Sequence, residues 1–329
     1  MSNATDTTHD TTHDMTQDTP QDIAQALAQQ HAAMLAGTAI GFEQAQHASD
    51  AALSAEHAAV LQACRMLGFV EHDAQCVAAA WHAQTQRTGQ FTLTDWPCQP
   101  EDFGILPTPR ANAFPACPKN LGLYAVLPDA AWVARMAQAG VPTLQLRFKS
   151  ENEQAIRQEV RAAVQAVQGT KALLFINDHW QIAIDEGAYG VHLGQEDMDD
   201  APIDTLRSAG LRLGLSTHGY AEMLRADAAS PSYLALGAVF PTTLKRMQTA
   251  PQGTGRLNAY AKLMQHNPLV AIGGIDESRL PEVMQSGVGS VAVVRAITGA
   301  SDPEAGAQRL QAILEKFSAP SQNRPKTTL

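Results

Sequence analysis

The stretch "KALLFINDHWQIAIDEGAYGVHLGQED", residues 171–197, holds two short apolar runs, KALLFIN and AYGVHLG, joined by a helix-like spacer. Each run delivers an acid to the loop beyond it: Asp178 follows Asn177, and Asp197 lies 19 residues further on, one repeat later. Working outward, the same beat recurs in LGLYAVL (121–127), VPTLQLRF (141–148), LRLGLS (211–216), SYLALGAVF (232–240), PLVAIGG (268–274) and GSVAVV (289–294). Eight strand candidates separated by helical spacers in about 200 residues predict an α/β protein with a (β/α)8 TIM barrel rather than an open doubly wound sheet.

The chain has 329 residues, more than such a barrel needs. Residues 1–22 repeat TTHD, TTHD, MTQD, TPQD, too poor in apolar groups to offset their ordering entropy, and predict a disordered leader. Over 23–94 an Ala-rich pattern with helical spacing (Val60, Leu61, Cys64, Leu67, then Val77, Ala80, Trp81) predicts a small helical region of two to four helices. Six prolines in 95–120 forbid a continuing helix and mark a linker. The barrel is expected over 121–316, with its last helix near 302–316 and a flexible tail at 317–329. No chemistry is legible before residue 121, where His57, His72 and His82 read as helix-surface residues. If that region is an accessory, removing residues 1–118 is expected to leave an active barrel.

The net charge of −10 is unevenly spread: residues 1–120 carry 13 acids against 4 Lys or Arg, residues 121–329 carry 20 against 19. No basic stripe or aromatic platform supports nucleic-acid binding. No apolar run reaches membrane-span length, and no basic-then-apolar signal opens the chain, so a cytoplasmic location without membrane partners is expected. Cys64, Cys76, Cys98 and Cys117 show no CxxC pairing and are expected as reduced thiols. The sequence does not set an oligomeric state.

Barrels of this kind place their chemistry where strands end. In TLQLRFK, Gln145, Arg147 and Lys149 alternate with Leu144, Leu146 and Phe148. Period two sends the apolar set outward to the helices and the polar set toward the barrel axis and mouth. Two cations and an amide converging there imply an anion such as phosphate or diphosphate. Asp178 and Asp197 end neighbouring strands, spaced roughly 4.8 Å apart in a sheet. They are read either as a Mg2+ pair, the metal completing its shell with water and phosphate oxygens, or as caps of the following helices. Strand five supplies Ser216, Thr217 and His218, again site residues or caps. After strand six comes FPTTLKRMQTAPQGTGR (240–256), long enough for a binding loop or lid, with Thr242, Thr243 and Lys245. Gly273 and Gly274 after strand seven would let backbone N–H groups approach a phosphate.

Taken in order, LQLRFK, FIND, GVHLGQED, LSTH, VFPTTLK and AIGGI resemble the thiamine-phosphate synthase family over about 121–316. The resemblance implies a transferase of thiamine biosynthesis that joins 4-amino-5-hydroxymethyl-2-methylpyrimidine diphosphate to a thiazole phosphate, releasing pyrophosphate through a dissociative, Mg2+-assisted step. It implies that Gln145, Arg147, Lys149, Asn177 and Lys245 hold the diphosphate, with Arg147, Lys149 and Lys245 assisting its departure, and that Asp178 and Asp197 hold Mg2+. Ser216 would lie beside the pyrimidine. Thr242, Thr243, Gly274, Val294 and Arg295 would serve the thiazole phosphate. Two positions depart from the family pattern: Leu244 stands where a second Thr is common before the loop lysine, and Arg295 where a small Ser is usual. Arg295 or Thr243 is expected to supply the lost phosphate contact. Two alternatives belong beside this reading: a thiazole tautomerase-like barrel enzyme, and a non-catalytic binding or regulatory relative.

Overall fold

The computed structural model describes residues 19–35, 54–242 and 249–318. Eight strands, β1 (Gly122–Leu127), β2 (Thr143–Leu146), β3 (Leu173–Asn177), β4 (Gly190–Leu193), β5 (Arg212–Thr217), β6 (Tyr233–Leu236), β7 (Leu269–Ile272) and β8 (Ser290–Val293), form a closed barrel in sequence order. All pair in parallel, and β8 returns to β1 with Ala125 opposite Val293. The eightfold strand beat in the sequence thus does mark a TIM barrel.

Alternation builds two apolar layers. Leu144, Leu146, Leu174, Ile176, Val191, Leu193, Leu213 and Leu215 face the helices in the main core. Tyr124, Phe175, Tyr233, Ala235, Val270 and Ala292 fill the interior. Large rings fit there because glycine faces them: a Cβ at Gly214 would run into the Tyr233 ring, and one at Gly190 into Phe175. The interior is a packed core, as closure of eight strands requires.

Three helices precede the barrel, α1 (Pro20–Leu35), α2 (Ala55–Met66) and α3 (Glu71–Thr88). Helix α1 begins inside the stretch read as leader because Thr19 and Asp22 close a capping box: Asp22 N donates to Thr19 Oγ1 and Thr19 N to Asp22 Oδ2. Residues 1–18 of that leader lie outside the described residues. Ser54 Oγ caps α2, and Gly89, with φ 81°, ends α3 in the left-handed conformation. Val60, Leu61, Cys64, Leu67, Val77, Ala80 and Trp81 are buried in the same continuous core as the barrel's outer layer.

The proline-rich segment 95–120 contains no α-helix, only a 3-10 turn at Pro100–Phe103, yet it is bound along the barrel. Trp96, Phe103 and Phe114 are buried, and Arg110 pairs with Asp227 at 2.6 Å. Aromatic side chains between the prolines give it surface to bury. The barrel helices are α4 (Ala130–Gln138), α5 (Glu153–Val167), α6 (Trp180–Asp185), α7 (Asp197–Asp200), α8 (Ile203–Ser208), α9 (Tyr220–Ala228), α10 (Gly253–Leu263), α11 (Leu280–Met284), α12 (Arg295–Thr298) and α13 (Pro303–Ser318). Helix α13 covers residues 317 and 318 of the expected tail, whose remainder, 319–329, is outside the described residues. All four cysteines are free thiols. No helix among the described residues is long and apolar enough to cross a membrane.

Candidate active site

The mouth is built from the C-terminal strand ends. Pairing of β2 stops at Leu146, so the predicted alternation carries only as far as that residue. Gln145 faces the interior, 4% exposed, and its Nε2 donates to Tyr124 Oη at 3.2 Å. Arg147 and Lys149 therefore lie in the loop beyond the strand, half-buried and exposed. The Arg147 amide still donates to Leu127 O at 2.8 Å, which holds the loop start against β1. No hydrogen bond or ion pair engages either cationic side chain among the described residues. Both cations thus stand at the mouth without a side-chain partner among the described residues.

Next to them, β3 ends in Asn177 and the chain turns at Asp178, whose φ of 63° places a non-glycine residue in the left-handed region. The turn is pinned by three backbone bonds: Asp178 N to His192 O, His179 N to Asn177 O, and Trp180 N to Asp178 O. Such strain collects at functional sites. The Asp178 carboxyl is pushed up by burial and by the adjacent Asp197 charge, with which it shares a hydrogen bond; the Arg147 guanidinium opposes the shift. Asp197 Oδ2 accepts from Gly194 N at 2.8 Å. Neither acid caps the helix beyond it: the N-cap positions of α6 and α7 are His179 and Glu196, without side-chain cap bonds. The two carboxylates thus lie close together at the mouth without a helix cap to serve. Among the described residues no group of three or more His, Cys, Asp or Glu is arranged to hold a metal ion, so an ion there would draw its remaining ligands from water and substrate.

Beside the acids runs a buried polar chain that alternation signals but the sequence reading passed over. Tyr124 and Tyr233 hydroxyls lie 2.8 Å apart, Tyr233 Oη is 2.7 Å from His192 Nδ1, and His192 Nε2 is 2.8 Å from Ser216 Oγ. Gln145 donates into one end of this chain, and the direction of the bonds beyond it follows the His192 tautomer. Gln195 Nε2 donates to Ser216 O at 2.7 Å and fixes the same turn. Thr217 is buried, its hydroxyl donating to Ala235 O, and His218 pairs with Glu222.

Thr242 is half-buried at the start of the loop after β6; Thr243, Leu244 and Lys245 lie outside the described residues. Gly273 and Gly274, with φ 107° and 64°, meet the end of β6 closely: a Cβ on either would run into Ala238 or into Phe240 and Pro241. Their glycine requirement thus already follows from strand-end packing. Val294 is half-buried, and Arg295 opens α12 exposed, without a hydrogen bond or ion pair among the described residues.

The thiamine monophosphate synthase family profile matches residues 123–297. A thiamine-phosphate synthase of Neisseria meningitidis serogroup B is 52% identical over 200 residues, covering 61% of this chain and 98% of the relative. One of Serratia proteamaculans is 49% identical over 208 residues, covering 63% and 98%. The solved thiamine phosphate pyrophosphorylase of Pyrococcus furiosus superposes with a TM-score of 0.54 at 29% identity, covering 60% of this chain and 98% of that one. Helices α1–α3 precede the matched region. A family match over more than half of the chain, on a closed barrel with this rim, means that the chain belongs to the thiamine monophosphate synthase family and is an enzyme of thiamine biosynthesis.

Proposed function

We propose that the mouth couples the pyrimidine diphosphate to the thiazole phosphate by letting pyrophosphate depart before the new bond forms. The observation that carries this is the juxtaposition of unpaired Arg147 and Lys149 with the Asp178–Asp197 pair on one rim. A diphosphate leaves readily when its growing charge is neutralised in place. Arg147 and Lys149 do this directly, Lys245 joins them from the loop, and Gln145 and Asn177 orient the group.

The donor set of two carboxylates, with His192 engaged by Tyr233 and Ser216, suits a hard cation with oxygen ligands, so Asp178 and Asp197 would hold Mg2+. Bound there, the ion would add positive charge to the leaving oxygens. Ser216, at the mouth end of the chain through His192, positions the pyrimidine. Thr242, Thr243, Gly274, Val294 and Arg295 receive the thiazole phosphate, with Arg295 offsetting the missing hydroxyl at Leu244. No side chain here needs to act as nucleophile or strong base.

A cytoplasmic location, small-molecule substrates, and no nucleic-acid or membrane partner belong to the same proposal. The tautomerase-like and non-catalytic alternatives gain no support from relatives at about half identity that are named as synthases. Pyrophosphate release by the full-length protein, measured with both substrates with and without Mg2+, tests the proposal. Release that needs both substrates and the metal is expected; no release, or release indifferent to Mg2+, refutes it.

A further inference from the structure

The matched region begins at residue 123, and nothing in the transfer chemistry calls for α1–α3. Their attachments to the barrel nevertheless fall at two particular places, the N-terminal ends of α9 and α10. Those ends lie at the mouth, directly after the rim segments that follow β5 and β6.

At the first, α9 has Gly219 at its N-cap and no capping side chain of its own. The cap comes from α3: Asp73 Oδ1 accepts from Ala221 N at 2.9 Å, and Asp73 is only 5% exposed. A Cβ at Gly219 would run into the Asp73 carboxylate. Gly219 has φ −176°, extended backbone open to any residue, so this glycine answers Asp73 and not its own turn. Next to it Tyr220 Oη accepts from Trp96 Nε1 at 3.0 Å, while its ring stacks on Phe103.

At the second, the pattern is reversed. Arg256 of α10 is 4% exposed and donates from Nε to Leu35 O at 2.9 Å and from Nη2 to Leu67 O at 2.7 Å, the carbonyls where α1 and α2 end. A cation on helix C-termini is the complement of an anion on an N-terminus. Nη1 donates to Gln252 Oε1 at 3.2 Å, and Gln252 N donates to Ala238 O, which anchors the far end of the segment carrying Thr242. A Cβ at Gly255 would run into Met34 O, so α10 is fitted to the end of α1 as α9 is to the start of α3.

We propose that the N-terminal helices are a positioning element of the active-site rim, with Asp73 and Arg256 as positioning residues that fix the segments after β5 and β6. This rests on the reading of Ser216 and Thr242 as substrate contacts. Packing alone would not favour burying a carboxylate and a guanidinium at these ends, because apolar side chains of similar size cost less.

The test uses full-length Asp73→Ala, with Asp73→Asn as the conservative variant that keeps the acceptor. Losing a cap of about 1–2 kcal/mol corresponds to roughly tenfold, so Asp73→Ala is expected to raise KM for the pyrimidine diphosphate about tenfold. Its kcat should stay within about twofold, and amide exchange over residues 216–222 should quicken about tenfold. Asp73→Asn should restore both. Gly219→Ala displaces the same contact from the barrel side and reads it should Asp73→Ala fail to fold; the double variant is expected to be no worse than either single one. A lowered melting temperature with KM and local exchange both unchanged would overturn the positioning role. Faster exchange with unchanged KM would uphold the contact and instead overturn the placement of the pyrimidine beside Ser216.

Discussion

Asp178 shows what a single residue contributes here. Its position was legible because it ends a strand one repeat before Asp197. Its left-handed backbone was not, since Asp is only one of several residues that tolerate φ above zero and the three bonds that pin it come from the fold. The structure gives neither acid a capping bond, which leaves the pair available to the proposed metal. Arg295 is one of the two residues read as departing from the family pattern, and it stands exposed and unpaired among the described residues. As a phosphate contact it should matter to one substrate alone. Arg295→Ala is expected to raise KM for thiazole phosphate about tenfold, the size of one charge-assisted bond, while KM for the pyrimidine diphosphate stays level. Steady-state kinetics varying each substrate in turn check this, and an unchanged thiazole-phosphate KM removes Arg295 from the site.

At the level of elements, strand alternation carried most of the information. It sorted Leu144 and Leu146 outward and Gln145 inward, but β2 ends at Leu146, so Arg147 and Lys149 owe their placement to a loop that alternation cannot describe. The same alternation places Tyr124, His192 and Tyr233 inward, and the polar chain they make was missed because each looks like an isolated residue in its own strand. Tyr233 is its central link. Tyr233→Phe leaves the Tyr124 hydroxyl and His192 Nδ1 without that partner in a buried setting, a cost of about 1–3 kcal/mol. The variant should melt lower in calorimetry and show a several-fold higher KM for the pyrimidine diphosphate, because His192 loses the hydroxyl that holds its ring against Ser216. A lower melting point with unchanged KM would confine the chain to a packing role. The loop after β6 was recognised by its length and composition, and its central residues fall outside those described.

Across the whole molecule the sequence separated a barrel from an appendage, and the structure joins them. The helical spacing of residues 60–81 was legible; that Trp96, Phe103 and Phe69 meet Tyr220 was not, since no local pattern encodes contacts more than a hundred residues apart. The expectation of an active barrel without residues 1–118 meets this interface: the cut would take Phe69, Trp96 and Phe103 from Tyr220 and strip Arg256 of both helix ends. The same interface has a pH signature. Burial pushes the Asp73 carboxyl up to about 6 from the model-peptide value of 3.8, against the opposing bond from Ala221. A raised acid binds more protons folded than unfolded between those values, so its contribution to stability falls as pH rises from about 4 to about 6 and is constant above. Asp73→Asn, which keeps the acceptor without the charge, should therefore match the wild type near pH 4 and exceed it by about 1–3 kcal/mol at pH 8, read by denaturant unfolding at both pH values. Equal stability at pH 8 would mean that the buried charge is compensated in full. The central claim, that Asp178 and Asp197 hold a metal which helps Arg147 and Lys149 grip the leaving diphosphate, is tested most directly by calorimetric titration of inorganic pyrophosphate into wild type and Asp178→Asn with and without Mg2+. Asn keeps the left-handed turn, so the fold should persist. The predicted result is Mg2+-dependent binding that weakens at least about tenfold in the variant, the loss of one charged ligand; equal binding by both proteins, or binding that ignores the metal, would contradict it.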